Sequence, residues 1–422
     1  MNISLAYGKQ GLNLNLPGIR ADIILPTHQP GLPDERGAVL HALDHPIVSE
    51  PLRNWLTPKC RICITFTDLT RATPNERLIP WLLEYLGHHG VEPGQITLLN
   101  QLGTHRPNTH QELEQMLTPA VVKKYLVVNH EPENRNALVQ LGVTESGAPA
   151  LINRHFVEAD VRISTGFIEP HLFAGFSGGV KNIMPGIAGL ETVLSNHGYQ
   201  HIAHPSATFG VTTGNPVWEE MKNIALRVGR SFLLNVALNN DREITGIFAG
   251  DLLESHTAGC EFVRRSAMQC VDKPYDVVIT TNSGYPLDLN LYQTAKGMAA
   301  AARIVNDGGT IIVASECSEG VPSRSPFERL LHSARNPDNL LNQLHHSPNS
   351  VPDQWQAQIQ AICQRRARVL LHSSMPDDVV RKAHLEPCHD IATEVAMSTN
   401  SGKSHARVAV LPVGPLTIPY LK

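Results

Sequence analysis

The chain has 422 residues, a formal net charge of -4, and 42% hydrophobic against 18% charged residues, the balance of a folded globular protein. Because its lysines and arginines are scattered rather than clustered, nucleic-acid binding is not indicated. The N-terminus lacks a secretory pattern, and every apolar run is shorter than the roughly 18 residues that span a bilayer, so we expect a cytoplasmic protein.

From residue 60 onwards, apolar runs alternate with amphipathic stretches. Helices are predicted over 76–90 and 111–126, where Pro74 precedes the first and Thr109 with Glu112 forms a capping box before the second. Strands are predicted at 61–68, 95–103, 125–131 and 159–168. This alternation is typical of a parallel, doubly wound sheet.

The same alternation restarts after a predicted hairpin at 232–251 and a helical stretch at 252–272. Further strands are predicted at 275–282, 310–316 and 368–374. The predicted fold is α/β with two domains, each with a mostly parallel sheet flanked by helices, and an active site in the interdomain cleft. The N-terminal cofactor-binding and catalytic domain is assigned to 9–265 and the C-terminal domain to 273–422, with 1–8 as a further candidate part of the latter.

Polar residues follow the predicted strands, where parallel sheets bind their ligands. Asp68 and Arg71 come after the first strand and His105 after the second, while His171 and His197 flank a glycine-rich stretch. Arginine offers a planar fork that suits a carboxylate. Histidine acts near neutral pH as an acid, a base or a metal ligand. Together these residues predict a site for a small carboxylate.

The glycine-rich stretch, PHLFAGFSGGVKNIMPG at 170–186, admits several interpretations. Its G-x-S-x-G resembles the nucleophile elbow of serine hydrolases, with Ser177 as nucleophile, but a preceding strand and a following helix are not indicated. Glycines in a row let backbone amides approach an anion such as phosphate. Lys181 beside them is then either an electrostatic clamp or a point of covalent attachment.

Five segments, in this order and spacing, resemble the nickel-dependent lactate racemase family of 2-hydroxyacid racemases and epimerases. They are FTDLTRATPN at 66–75, LGTHRPNT at 102–109, GFIEPHLFAGFSGGVKNIMPGIAG at 166–189, SNHG at 195–198 and LYQTAKG at 291–297. The resemblance therefore covers some 230 residues and is far more specific than the serine motif alone.

The resemblance implies nickel held in a nickel-pincer nucleotide, a pyridinium-derived mononucleotide joined to Lys181 through a thioamide. It implies His197 as the nickel ligand and His105 and His171 as the catalytic acid/bases. The other matched positions surround the cofactor, namely Asp68, Ser177, Gly178 and Gly179, or the substrate and its carboxylate, namely Arg71, Tyr292, Gln293 and Lys296. Enzymes that build the cofactor are implied as maturation partners.

The implied reaction is racemisation or epimerisation of a 2-hydroxyacid by reversible hydride transfer, with one histidine taking the hydroxyl proton and the other returning it. Lactate, malate, aryl acids and sugar acids all present the same carboxylate and α-hydroxyl. The alternatives are a serine hydrolase using Ser177 and a non-catalytic protein that binds a nucleotide or hydroxyacid.

Overall fold

Two sheets organise the part of the chain that the computed structural model describes, residues 1–400 and 406–422. The chain separates into two units. The N-terminal unit consists of residues 28–197 and 204–264, and the C-terminal unit consists of residues 1–27, 198–203 and 265–422. None of the described helices is long and apolar enough to cross a membrane.

The sheet of the N-terminal unit, whose residues are all described, has six strands. Neighbouring strands are parallel, except for the antiparallel pair at one edge. Their order across the sheet is Ile244–Asp251, Phe232–Leu238, Val161–Phe167, Ile62–Thr67, Ile96–Gln101 and Leu126–Asn129. The strand predictions and the hairpin at 232–251 are therefore confirmed. Every residue of Ile62–Thr67 is buried, as expected of a parallel sheet covered on both faces.

Helices cover this sheet. The main core packs Leu78, Leu82 and Leu86 of one helix against Ile64 and Phe66 of the central strand. The helices of this unit are Glu35–Asp44, Asn75–His88, His110–Leu117, Pro119–Lys124, Arg154–Val157, Leu190–Asn196 and Pro216–Leu226, and Leu252–Ala267 begins in it. Short ribbons pair Leu138–Val143 with Pro149–Asn153 and Pro170–His171 with Gly175–Phe176, and 3-10 turns lie at Leu52–Trp55, Pro93–Gln95, Arg135–Ala137 and Gly179–Asn182.

One helix prediction was wrong. The stretch at 111–126, expected to be continuous, is divided at Thr118, whose φ of 80° leaves the helical region. Pro119 then begins the second helix, where its missing N–H costs no hydrogen bond. The capping box of Thr109 and Glu112 is confirmed.

The C-terminal unit contains the second sheet. In the part of this unit that the structure describes, which excludes residues 401–405, the sheet has six strands, and all neighbouring strands are parallel. Their order is Glu386–Pro387, Arg368–His372, Val305–Ala314, Tyr275–Thr281, Val408–Leu411 and Ala21–Ile23. The predicted α/β class, with two mostly parallel sheets, is confirmed. The edge strand Ala21–Ile23 comes from the start of the chain and was not predicted.

Helices also flank this second sheet. They are Tyr199–Ala203, Leu291–Ala302, Pro326–Ser333, Pro337–His346, Gln354–Arg366, Asp377–Lys382 and Ile391–Asn400. Two ribbons, Asn2–Leu5 with Leu12–Asn15 and Met268–Val271 with Ile418–Leu421, and a 3-10 turn at Gly414–Leu416 complete the unit.

Candidate active site

Asp68 and His105 form a hydrogen-bonded pair beyond the carboxyl ends of two neighbouring strands. Asp68 directly follows Ile62–Thr67, and His105 lies in the loop after Ile96–Gln101. The His105 Nδ1 lies 2.6 Å from the Asp68 Oδ2. A carboxylate only accepts hydrogen bonds, so Nδ1 carries the proton and Nε2 of the neutral ring keeps the lone pair. Asp68 thereby sets the tautomer of His105.

The carboxyl group of Asp68 is held in its charged form. Burial by itself raises its pKa. The hydrogen bond from His105, the charge that His105 carries when protonated, the charge of Arg71 and the hydroxyl of Thr70 outweigh burial and hold the pKa well below its usual range. Thr70 donates from both its N–H, at 2.7 Å, and its hydroxyl, at 2.6 Å, to Oδ1. The Arg71 N–H donates to the Asp68 carbonyl at 3.1 Å, which closes a turn that brings the arginine to this carboxylate.

His171 and His197 both contact the ring of Phe173. Phe173 is edge-on to both, with ring centroids 4.7 Å from His171 and 5.0 Å from His197. His171 lies on the ribbon strand Pro170–His171, and its Nδ1 accepts the N–H of Ala174 at 3.3 Å. In a neutral His171 ring the proton is therefore on Nε2, the opposite of the arrangement in His105.

His197 caps the helix Leu190–Asn196 and is 4% exposed. Its Nδ1 donates to the Asn196 Oδ1 at 3.0 Å, so Nε2 has the lone pair that a metal would bind. No group of three His, Cys, Asp or Glu side chains suited to a metal occurs among residues 1–400 and 406–422.

The segment from Ser177 to Gly179 is tightly packed inside the protein. The Gly179 N–H donates to the Asn235 Oδ1 at 2.8 Å, and a Cβ on Gly179 would lie 2.4 Å from the His256 Cγ. A Cβ on Gly178 would lie 2.4 Å from the same Asn235 oxygen. A side chain at either glycine would overlap its neighbours, so both positions require glycine for packing. The Gly179 N–H binds Asn235 and is not available to a phosphate. A cofactor-binding role for them stays a prediction.

Ser177 is bonded to the main chain. Its hydroxyl donates to the Phe167 carbonyl at 2.9 Å and accepts the Glu169 N–H at 2.9 Å. The strand before it, Gly175–Phe176, has only two residues, whereas a nucleophile elbow needs a strand that presents the serine at its end. This geometry does not support the serine-hydrolase alternative.

Two buried histidines that the motif analysis missed hold the segment on either side of Lys181. The His256 Nε2 lies 2.9 Å from the Ser177 carbonyl, and the His130 Nε2 lies 2.9 Å from the Ala188 carbonyl. Burial lowers the pKa of each to about 4, so both are neutral at pH 7. The sequence did not predict these contacts, because each histidine binds a main-chain carbonyl that is distant in the chain.

Lys181 lies in the turn Gly179–Asn182 and is half-buried. The next residue, Asn182, is 5% exposed, and its Nδ2 has no hydrogen-bond partner within the described part of the chain. A hydrogen bond of 2.8 Å from the Gly103 N–H to the Gly186 carbonyl joins the end of this loop to the loop of His105. The structure thus brings the Lys181 loop and the His105 loop into direct contact.

In the C-terminal unit, the predicted substrate residues share one helix. Tyr292, Gln293 and Lys296 lie in the first half of Leu291–Ala302, are all half-buried, and are spaced at three and four residues so that they occupy one face. The Tyr292 hydroxyl accepts the indole N–H of Trp355 at 3.2 Å. Trp355, which the sequence analysis missed, therefore sets the position of that hydroxyl.

Comparisons with known proteins show what this chain is similar to. Residues 7–210 match the family model of the lactate racemase N-terminal domain, and residues 270–418 match that of the lactate racemase C-terminal domain. The chain is 34% identical over 419 residues to the lactate racemase of Thermoanaerobacterium thermosaccharolyticum, with 98% of each chain covered. It is 36% identical over 385 residues to that of Lactiplantibacillus plantarum, with 90% of each covered.

Solved structures give the same result. The lactate racemase apoprotein from Thermoanaerobacterium thermosaccharolyticum matches with a TM-score of 0.93 and 34% identity, over 99% of this chain and 100% of that one. A Thermotoga maritima protein matches at 20% identity with a TM-score of 0.70, over 94% of this chain and 100% of that one, which shows a shared fold. The predicted family is confirmed, and the chain belongs to the lactate racemase family of isomerases.

Proposed function

We propose that this enzyme racemises or epimerises a 2-hydroxyacid, with His105 and His171 as the acid/base pair. The observation that carries the proposal is their opposite protonation. Asp68 keeps the proton of His105 on Nδ1, so its Nε2 accepts a proton, whereas the Nδ1 of His171 accepts the Ala174 N–H, so its Nε2 donates one. Because both relatives are named lactate racemase, lactate is the first substrate to test.

The α-hydrogen of a 2-hydroxyacid is weakly acidic beside a carboxylate, so its removal as a proton is difficult. The nickel-pincer nucleotide of the family, when bound, supplies a hydride acceptor that avoids this step. The residues present fit such a group. His197 offers an imidazole nitrogen suited to nickel, Lys181 offers an amine for attachment, and the buried Nδ2 of Asn182 offers a donor.

The protein's own part in the reaction is to bind the substrate and move protons. The Nε2 of His105 takes the hydroxyl proton of one enantiomer, and the Nε2 of His171 returns a proton to the 2-oxo acid after its other face is presented. The roles exchange in the reverse direction. Arg71 and Lys296 bind the carboxylate by charge, and Gln293 contacts the substrate from the helix face of Lys296.

Intact mass spectrometry of protein co-expressed with the cofactor-building enzymes tests the attachment. We expect an adduct and racemase activity in the wild type, no adduct in Lys181→Ala or Lys181→Arg, and an adduct without activity in Lys296→Ala. The Lys296 variant is the matched control, because it removes a lysine without removing the attachment point. A fully supplied wild type with neither adduct nor interconversion of any 2-hydroxyacid contradicts the proposal.

Racemisation in D₂O tests the hydride mechanism separately. Hydride transfer returns the original hydrogen to the α-carbon, so proton NMR is expected to find the racemised product with its Cα–H retained. Removal of the α-hydrogen as a proton would instead allow exchange with solvent. Deuterium at the α-carbon of the product would refute hydride transfer while leaving racemase activity established.

A further inference from the structure

A buried relay of three side chains leads to His197. Its members are Glu220 on the helix Pro216–Leu226, Asn196 at the end of the helix Leu190–Asn196, and His197. Their exposures are 2%, 0% and 4%, so the relay is shielded from water. Resting on the proposed function above, we propose that Asn196 and Glu220 are positioning residues that set the tautomer and orientation of His197 as a nickel ligand.

The hydrogen bonds of Asn196 determine how its amide is oriented. The Nδ2 donates to the Val217 carbonyl at 3.0 Å and to the Glu220 Oε2 at 2.9 Å, and Oδ1 accepts from the His197 Nδ1 at 3.0 Å. A carbonyl and a carboxylate only accept hydrogen bonds. If the amide were turned over, its Oδ1 would face the Val217 carbonyl and the Glu220 carboxylate without a proton between them. The His197 proton is therefore held on Nδ1, which leaves Nε2 as the metal-binding nitrogen.

Packing and charge reinforce this orientation. Phe173 contacts the His197 ring edge-on, so the ring is restrained by an aromatic contact as well as by a hydrogen bond. A buried carboxylate is costly unless it is hydrogen-bonded, and Glu220 receives Asn196 at 2.9 Å and the Glu145 N–H at 3.4 Å. Its negative charge polarises the amide of Asn196 and so raises the basicity of the His197 nitrogen that would bind a metal.

A purely structural role for Glu220 and Asn196, as a link between two helices, makes a different prediction from a positioning role. A helix link affects the stability of the apoprotein and leaves the His197 tautomer unchanged. A positioning role requires that the tautomer and the nickel content change when the relay is broken. Removing the oxygen that accepts from the His197 Nδ1, with little change in side-chain volume, separates these cases.

The test uses Asn196→Leu, Glu220→Gln and the double variant Asn196→Asp with Glu220→Gln. Asn196→Leu changes the side-chain volume little but removes the oxygen that accepts from the His197 Nδ1. Glu220→Gln preserves an acceptor for Asn196. The double variant keeps an oxygen at position 196 for His197 and offers it a donor from position 220, so we expect it to behave like the wild type.

The first readout is nitrogen-15 NMR of histidine-labelled apoprotein, with the His197 signal assigned by its loss in His197→Gln. We expect a proton on Nδ1 in the wild type, in Glu220→Gln and in the double variant, and a mixture of tautomers in Asn196→Leu. An unchanged His197 tautomer in Asn196→Leu, or a lost Nδ1 proton in the double variant, overturns the proposal. This measurement needs no cofactor, so it stands even if the proposed function fails.

The second readout is nickel per covalent adduct after co-expression with the cofactor-building enzymes, from metal analysis and intact mass. We expect adduct yield to stay near the wild-type level while nickel retention against a chelator falls about 10- to 100-fold in Asn196→Leu. Wild-type retention in that variant overturns the proposal. Failure of the proposed function is distinguished as an absence of adduct in the wild type itself.

Discussion

Replacing Gly179 by alanine tests whether this glycine serves packing inside the protein. The added Cβ would lie 2.4 Å from Cγ, 2.6 Å from Cδ2 and 2.7 Å from Nδ1 of the His256 ring. The ring is 1% exposed and is held by its hydrogen bond to the Ser177 carbonyl, so it has little room to move aside. Gly179 also has a φ of 55°, which disfavours any side chain.

The expected loss of unfolding free energy has two parts. The left-handed backbone costs about 1 kcal/mol for a non-glycine residue, and overpacking against the ring adds about 1 to 3 kcal/mol. Gly147 separates the two, because its φ is 85° and a Cβ there would meet nothing within 4 Å. Gly147→Ala is therefore expected to cost about 1 kcal/mol, and Gly179→Ala clearly more.

Urea denaturation of both variants, of His256→Ala and of Gly179→Ala with His256→Ala measures these costs. Removing the ring relieves the overlap, so the double variant is expected to lose about 1 to 3 kcal/mol less than the sum of its single changes. If Gly179→Ala costs no more than Gly147→Ala, or if the two changes are additive, the packing interpretation is wrong.

Three further predictions concern pH and helix stability. Burial lowers the pKa of His130 and of His256 from 6.5 to about 4, so the unfolded state binds more protons in that window. Stability should therefore fall as pH drops through it, by about 3 kcal/mol per histidine, and pH-dependent melts of His130→Gln or His256→Gln should show a shallower fall. Asp68→Asn is expected to abolish turnover without affecting the adduct, because the proton of His105 is no longer held on Nδ1. Folding lowers the pKa of Asp68, so its contribution to stability is present above about pH 4 and is lost as the pH falls below that. The unfolding free energy of the variant should therefore depend less on pH in acid than that of the wild type. Gly87 lies in a helix, and a Cβ added there would meet nothing within 4 Å. Gly87→Ala should therefore raise the unfolding free energy of the protein by about 0.5 to 1 kcal/mol, as measured in thermal melts.

The strands were predictable because burial on both faces leaves an unbroken apolar run, as in Ile62–Thr67. The closeness of Asp68 and His105 was predictable once the strands were known, because polar residues that follow adjacent parallel strands meet at one edge of the sheet. The edge strand Ala21–Ile23 was missed because it has three residues, two of them exposed, and its pairing partner Val408–Leu411 lies almost the whole chain away.

The supporting residues of the site were not predictable from motifs. Asn235 reaches Gly179 across 56 positions, and His256 reaches Ser177 across 79. Each is an ordinary residue in its own strand or helix, and only the fold brings it to the loop. Asn196 was quoted within SNHG, but its use of a carboxylate 24 positions away depends on the packing of two helices.

These supporting contacts change how the glycine-rich segment is understood. Glycines there suggested an open cradle for phosphate, yet the structure fills the space beside Gly178 and Gly179 with Asn235 and His256. The Ser177 hydroxyl and carbonyl are also bound within the protein. The contacts at Ser177 and Gly179 hold the segment that leads to Lys181. The attachment proposed for Lys181 requires such a fixed point, because a covalently attached group reacts reproducibly only if its attachment point is fixed. The glycines let the protein approach its own loop closely, so under the proposed function the ligand is to be sought beyond Lys181, beside the buried Nδ2 of Asn182.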